Sequence, residues 1–254
     1  MYKNILFEVE TDDINLSSFK IHKKLNQKIW KDEKIDSKVR LKLLDIADEF
    51  YSSLAIDWVK IEDIILTGSL ANYNWSKYSD VDLHILIDFK KVWKKTDTIS
   101  EYFKTKKKLW SIEHDNLKVL GFPVEVYIQD INEKHNSSGI YSLNKNKWLV
   151  EPDDFQNSTI NEETVKNKSA KEMTYFDDLF EKVKKEKDKH KLETIYNKIL
   201  KRFKHLRTLR SESLDTKGEL GTYNIVWKVL RRTGYIDKIN DTINELYDKI
   251  NTIN

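Results

Sequence analysis

The chain has 254 residues, enough for a sizeable hydrophobic core and for one large domain or two small ones. Apolar residues make up 39% and charged residues 34%, with 45 Lys and Arg against 42 Asp and Glu, so the composition is that of a folded protein and not of a disordered one. The absence of cysteine excludes disulfide scaffolds, thiolate metal sites, iron–sulfur clusters and thiol nucleophiles, and leaves oxygen and imidazole as the only strong metal ligands.

At the start of the chain the apolar patch Ile5, Leu6, Phe7 runs at once into Glu8 and Glu10, too short and too acidic for a signal-peptide core. No later stretch approaches the roughly 20 apolar residues of a membrane span, and the expectation is a cytoplasmic protein without a membrane partner. From Asp36 to Leu54 the residues Val39, Leu43, Ile46, Ala47, Phe50 and Leu54 recur at three- and four-residue spacing, the pattern of an amphipathic helix. Ile61 to Thr67 reads as a short strand ending at Gly68, and Val81 to Ile87 as a second, with a turn and a short helix between them. Asp97 to Leu120 reads as another helix. Phe122 to Ile128 then alternates, with Val124, Val126 and Ile128 on one face and Glu125, Tyr127 and Gln129 on the other. Beyond Pro152 the strand signal fades into Lys- and Glu-rich helical periodicity, such as Leu192, Ile195, Ile199, Phe203 and Leu206. The expected architecture is α+β, an α/β core with a mixed sheet over residues 1–152 followed by a helical domain over 153–254 that closes one side of the active-site cleft. With six glycines and two prolines in all, no flexible linker marks the boundary.

Chemistry concentrates between Leu66 and Phe89. Strand alternation puts Asp80 and Asp82 on one face about 7 Å apart, close enough to share one or two hard divalent cations, which would relieve the repulsion between the two carboxylates. Gly68 removes a side chain where backbone must approach a ligand, and Ser69 offers a hydroxyl and an amide near the expected helix start, where phosphate oxygens are favoured. A sheet that brings the third strand alongside would add Glu125, giving three carboxylates around two metals, a site suited to in-line phosphoryl or nucleotidyl transfer.

At these residues the sequence resembles the DNA polymerase beta-like nucleotidyltransferase superfamily, whose pattern is Gly-Ser, a spacer, an Asp-x-Asp pair and a later strand-borne carboxylate. Gly68, Ser69, Asp80, Asp82 and Glu125 match it position by position, although Glu125 stands where many members carry Asp. The resemblance covers about Ile61 to Ile128, and the stretch from Gly139 to Trp148 with the helical half looks like predicted nucleotidyltransferases of large bacteriophages. It implies Mg2+ or Mn2+ as cofactor, a nucleoside triphosphate such as ATP as donor, and transfer of the nucleotidyl group to an acceptor with release of pyrophosphate. A phage-encoded protein would work in the host cytoplasm. The acceptor stays open, with RNA among the candidates. The alternative from another class is a catalytically inactive nucleotide- or RNA-binding module on the same fold.

Three other features have a structural explanation beside a functional one. Lys77, in the spacer before the acids, is placed with Gly68 and Ser69 as a nucleotide-binding residue, though an exposed turn lysine is the commoner case. His84 continues the face of Asp80 and Asp82, but a strand histidine is more often a satisfied polar group, and it stays outside the catalytic set. Lys198, Lys201, Arg202, Lys204, Arg207 and Arg210 form a run without an acid, either a solvated helix face or a phosphate-contacting surface. Tyr223 and Trp227 read as core packing before base stacking.

Overall fold

The computed structural model describes residues 9–133, 137–152 and 160–253. The Ile5 to Phe7 patch lies outside them, and the expected boundary after Pro152 falls at their edge. The described residues divide into two units, 17–152 in one and 9–16 with 160–253 in the other. The N-terminal residues therefore go with the helices: the 3-10 turn Thr11–Asp13 packs on the helix that starts at Glu162, and the Val9 amide donates to Thr174 Oγ1 at 3.3 Å.

The unit 17–152 opens with a small hairpin, β1 (Trp30–Lys31) and β2 (Lys34–Ile35), followed by α1 (Ser37–Ser52). Asp36 caps α1, its carboxylate accepting from the Lys38 and Val39 amides at 2.9 and 3.3 Å. Then come β3 (Asp63–Thr67), β4 (Val81–Ile87), α2 (Phe89–Val92), α3 (Thr96–Glu113), β5 (Lys118–Val119), β6 (Phe122–Asp130), β7 (Ile140–Ser142) and β8 (Lys147–Val150). The sheet order is β5-β6-β4-β3-β7-β8, with β4 and β6 parallel and the other pairs antiparallel, so the sheet is mixed.

Alternation along β4 sorts the two faces of the sheet. Val81, Leu83, Ile85 and Ile87 are buried with Leu66 of β3 in a core that includes Leu43 and Phe50 of α1 and Phe103 and Trp110 of α3. Asp82 and His84 stay half-buried on the opposite face. Trp30 anchors the near end of the core: it is fully buried, stacks on Trp148 with centroids 4.6 Å apart and donates from Nε1 to the Leu70 carbonyl at 2.7 Å. At the far end of β3 the buried Asp63 accepts from Ser142 Oγ at 2.7 Å and pairs with Lys145 at 2.9 Å, tying β3 to the turn after β7.

Two elements differ from the sequence expectation. The helix expected to run to Leu120 ends at Glu113, because Asp115 and Asn116 favour turns and Leu120 (φ 52°) and Gly121 (φ 91°) form a two-residue hairpin loop that pairs Val119 with Phe122. The short helix expected after Gly68 is only the 3-10 turn Ser69–Ala71, closed by Asn72, whose Nδ2 donates to the Gly68 carbonyl at 2.9 Å.

The helical unit consists of α4 (Glu162–Lys185), α5 (Lys189–Lys217), α6 (Thr222–Arg232) and α7 (Tyr235–Asn251). Asn161 and Asp188 cap α4 and α5. Phe176 of α4, Ile199 and Phe203 of α5, Val226 and Leu230 of α6 and Ile239 of α7 are among its buried side chains. The basic run falls on α5 and divides by task. Arg202 forms a two-pronged pair with the buried Glu172 of α4, Arg207 lies 4.3 Å over the Phe203 ring, and Arg210 donates to Asn224 and lies 5.2 Å over Trp227. Trp227 stacks on Phe203, which bears out the packing explanation for that residue. Lys198, Lys201 and Lys204 are exposed.

Because Arg202 neutralises an almost fully buried carboxylate, Arg202→Ala is expected to lower the unfolding free energy by about 3 kcal/mol, against about 0.5 kcal/mol or less for the exposed Lys201→Ala. Urea denaturation of the two variants measures this, and equal small losses would make Arg202 a mere surface charge.

Candidate active site

Gly68 follows β3 directly and has a φ of 72°, in the left-handed region that glycine enters freely. A Cβ at this position would lie 1.8 Å from Asp82 Oδ2 and 2.8 Å from its Cγ. The backbone thus packs against the carboxylate itself, and glycine is required both for its conformation and for the space. Strand register makes Asp82 the centre of the row: Thr67 of β3 is its partner on one side and Glu125 of β6 on the other. In a parallel pair, partnered residues project from the same face, so Glu125 belongs with Asp82, and Tyr127 and Gln129 with His84.

Asp80 immediately precedes β4, and the alternation extends back to it: Ser79 and Val81 are buried, while Asp80 and Asp82 are half-buried. All three acids act on one phenol. Burial pushes the Tyr127 hydroxyl far above its usual pKa, and the charges of Glu125, Asp82 and Asp80 push the same way, as does its hydrogen bond to Glu125. Tyr127 is therefore a hydroxyl donor at any working pH, and it donates to Glu125 Oε2.

The same oxygen of Glu125 accepts from Lys107 Nζ of α3 at 2.7 Å, and that ammonium lies 3.4 Å from the Tyr127 ring centroid. Among the described residues, no three His, Asp or Glu side chains converge as a ready group of metal ligands. Asp80 and Asp82, half-buried on one face, nevertheless supply the hard oxygen donors that suit a divalent cation, so the residues present fit an ion at this pair.

Ser69 sits in the turn after Gly68, with its hydroxyl 2.7 Å from Ser79 Oγ, which also accepts from the Ser76 amide at 2.9 Å. These bonds staple the turn after β3 to the turn before β4, and so fix Gly68 relative to Asp80. The turn is too short to add a helix dipole to this end of β3. Lys77 is exposed, 5.0 Å over the Tyr78 ring. His84 is held by Gln129, Nδ1 to Oε1 at 2.7 Å, and stacks on Tyr127 with centroids 4.6 Å apart, in keeping with a satisfied strand histidine. Sequence reasoning did not single out Lys107, Ser79 or Asn72. The serine directly before Asp80 was a readable sign for Ser79, whereas a lysine in the run from Lys104 to Lys108 carries no mark of the strand it will meet.

With this geometry established, comparison with known proteins gives one match. The family model described as "Nucleotidyltransferase domain" matches residues 42–161, slightly under half of the chain. No curated protein and no solved structure matches. The matched segment contains Gly68, Asp80, Asp82 and Glu125 together with the six strands of the mixed sheet. It supports a polymerase beta-like core and a general role in nucleotidyl transfer, and the α+β fold, a mixed sheet followed by a helical region, fits such a domain.

Proposed function

We propose that the protein is a divalent-metal-dependent nucleotidyltransferase that moves a nucleoside monophosphate from a nucleoside triphosphate to an acceptor hydroxyl. The observation that carries this reading is the row across the sheet: the Gly68 backbone against the Asp82 carboxylate, with Glu125 in register on the other side. Asp80 and Asp82 hold Mg2+ or Mn2+, and Glu125 completes that site or takes the proton of the acceptor hydroxyl. The turn at Gly68 and Ser69 receives the triphosphate, and Lys77 meets its phosphates. The ion, when bound, offsets the triphosphate charge and makes the α-phosphorus more electrophilic. Lys107 and Tyr127 fix the Glu125 carboxylate from two directions. The acceptor oxygen bonds to the α-phosphorus, the bond from that phosphorus to the bridging oxygen breaks, and pyrophosphate leaves with the electron pair.

A second reading draws on the Lys107 ammonium that already neutralises Glu125: a nucleotide- or RNA-binding module on the same fold, without turnover. Pyrophosphate release from each ribonucleoside triphosphate, with Mg2+ or Mn2+ and pooled acceptors, separates the two. The transferase reading expects release that falls at least about a hundredfold in the folded Asp80→Asn, Asp82→Asn double variant. Release that persists in the variant contradicts it, and nucleotide binding without release in either protein favours the module.

Gly68→Ala tests the central contact. Its methyl group would collide with Asp82, so turnover is expected to fall at least about tenfold, with a stability loss of about 1–2 kcal/mol from the left-handed φ. Wild-type turnover in this variant would show that the Gly68–Asp82 approach has no part in catalysis.

A further inference from the structure

Near Asp82 and Glu125 lies a cleft of about 420 Å³ between β4, β6 and α3. It begins one strand repeat from the carboxylates, with His84 and Tyr127, and is walled by Phe89, Phe103 and Ile128 and rimmed by Lys104, Lys107 and Glu133. Lys107 is common to the cleft and to the ion pair with Glu125. Through Lys107 the cleft adjoins the third carboxylate.

Its position follows from the row of residues across the sheet. Asp82 has the Gly68 turn on its β3 side and Glu125 on its β6 side. In-line displacement puts the incoming oxygen and the leaving pyrophosphate on opposite sides of the phosphorus. A triphosphate on the Gly68 side leaves the β6 side for the acceptor, and the cleft is the concave surface there.

Its lining restricts the acceptor. Lys104 and Lys107 bring two ammonium groups to a lining that holds one carboxylate, Glu133, so the excess positive charge favours an anionic acceptor over a polycationic one. Lys104 pairs with Glu101, both partners well exposed (68% and 73%), and also feels the charge of Glu133; the exposed pair contributes little and exchanges readily for a phosphate. Lys107 and His84 both lie against the Tyr127 ring, with Phe89 and Phe103 behind the cleft, an aromatic lining that suits a planar ring.

Resting on the transferase reading above, we infer that this cleft is the acceptor subsite and that the acceptor is a nucleotide, its base against the aromatic wall, its phosphate at Lys104 and its hydroxyl toward Glu125. Free nucleotides and the 3′ end of an RNA share this chemistry.

The test measures binding, not turnover. Fluorescence anisotropy of a labelled short single-stranded oligoribonucleotide is read at low ionic strength with the full chain, the folded Lys104→Glu and Lys104→Ala variants, and the Asp80→Asn, Asp82→Asn variant, each competed with nucleoside monophosphates. The expected result is binding that survives loss of the two aspartates and weakens about tenfold or more in Lys104→Glu, less in Lys104→Ala, while triphosphate binding stays within about twofold. Full competition by monophosphate identifies a free nucleotide as the acceptor, and competition only by oligoribonucleotide identifies an RNA end; either supports the subsite. Unchanged binding in both Lys104 variants, or no binding of oligonucleotide or monophosphate to the wild type, overturns it. Absence of pyrophosphate release with the Lys104 dependence intact would remove the transferase reading and leave the cleft standing as a nucleotide site.

Discussion

The contact between the Gly68 backbone and the Asp82 carboxylate is the constraint on which the rest of the site depends. It requires a residue without a Cβ, in a conformation that other residues adopt at a cost, at the end of a strand whose neighbour carries the acid. The nearby bonds hold that contact in place. Asn72 closes the turn onto the Gly68 carbonyl and accepts from Ser138, and Ser69 and Ser79 join the two loops that flank β3 and β4. Gly139 repeats the device, since a Cβ there would lie 2.0 Å from the Ala71 carbonyl oxygen. Two glycines thus let three loops approach one another at the end of the strands where the carboxylates sit.

The mixed sheet gives the second half of the arrangement. Only a parallel β4–β6 pair in this register sets Glu125 beside Asp82 while leaving Val81, Leu83 and Val126 for the core. A shift of one residue would bury the acids and expose the aliphatic row, so the hydrophobic effect that packs α1 and α3 on the sheet also fixes the carboxylates on the open face. α3 then does more than cover the core. From its polar side Lys107 reaches Glu125, which links the helix to the chemistry through one ion pair and one ring contact.

Much of this was legible in the sequence because it rests on local pattern. The alternation of Val81 to Ile87 and of Phe122 to Ile128 predicted both strands and their polar faces, and the Gly-Ser and Asp-x-Asp spacing pointed to the chemistry that the family match supports. What stayed hidden depends on partners remote in sequence. Lys107 looks like its neighbours Lys106 and Lys108, and Arg202 looks like the lysines around it; only tertiary packing gives one a carboxylate on β6 and the other a buried glutamate on α4. The helix end at Glu113 was misjudged for a related reason: Leu120 adopts a positive φ that its side chain does not advertise, and cross-strand pairing holds it there.

The central claim is that Gly68, Asp80 and Asp82 form a single metal and triphosphate site. Anomalous scattering from crystals grown with Mn2+ and a non-hydrolysable nucleoside triphosphate analogue tests it most directly. The account predicts manganese in contact with the carboxylates of Asp80 and Asp82, with the triphosphate lying over Gly68 and Ser69. Manganese and nucleotide bound elsewhere, with these two carboxylates untouched, would contradict it.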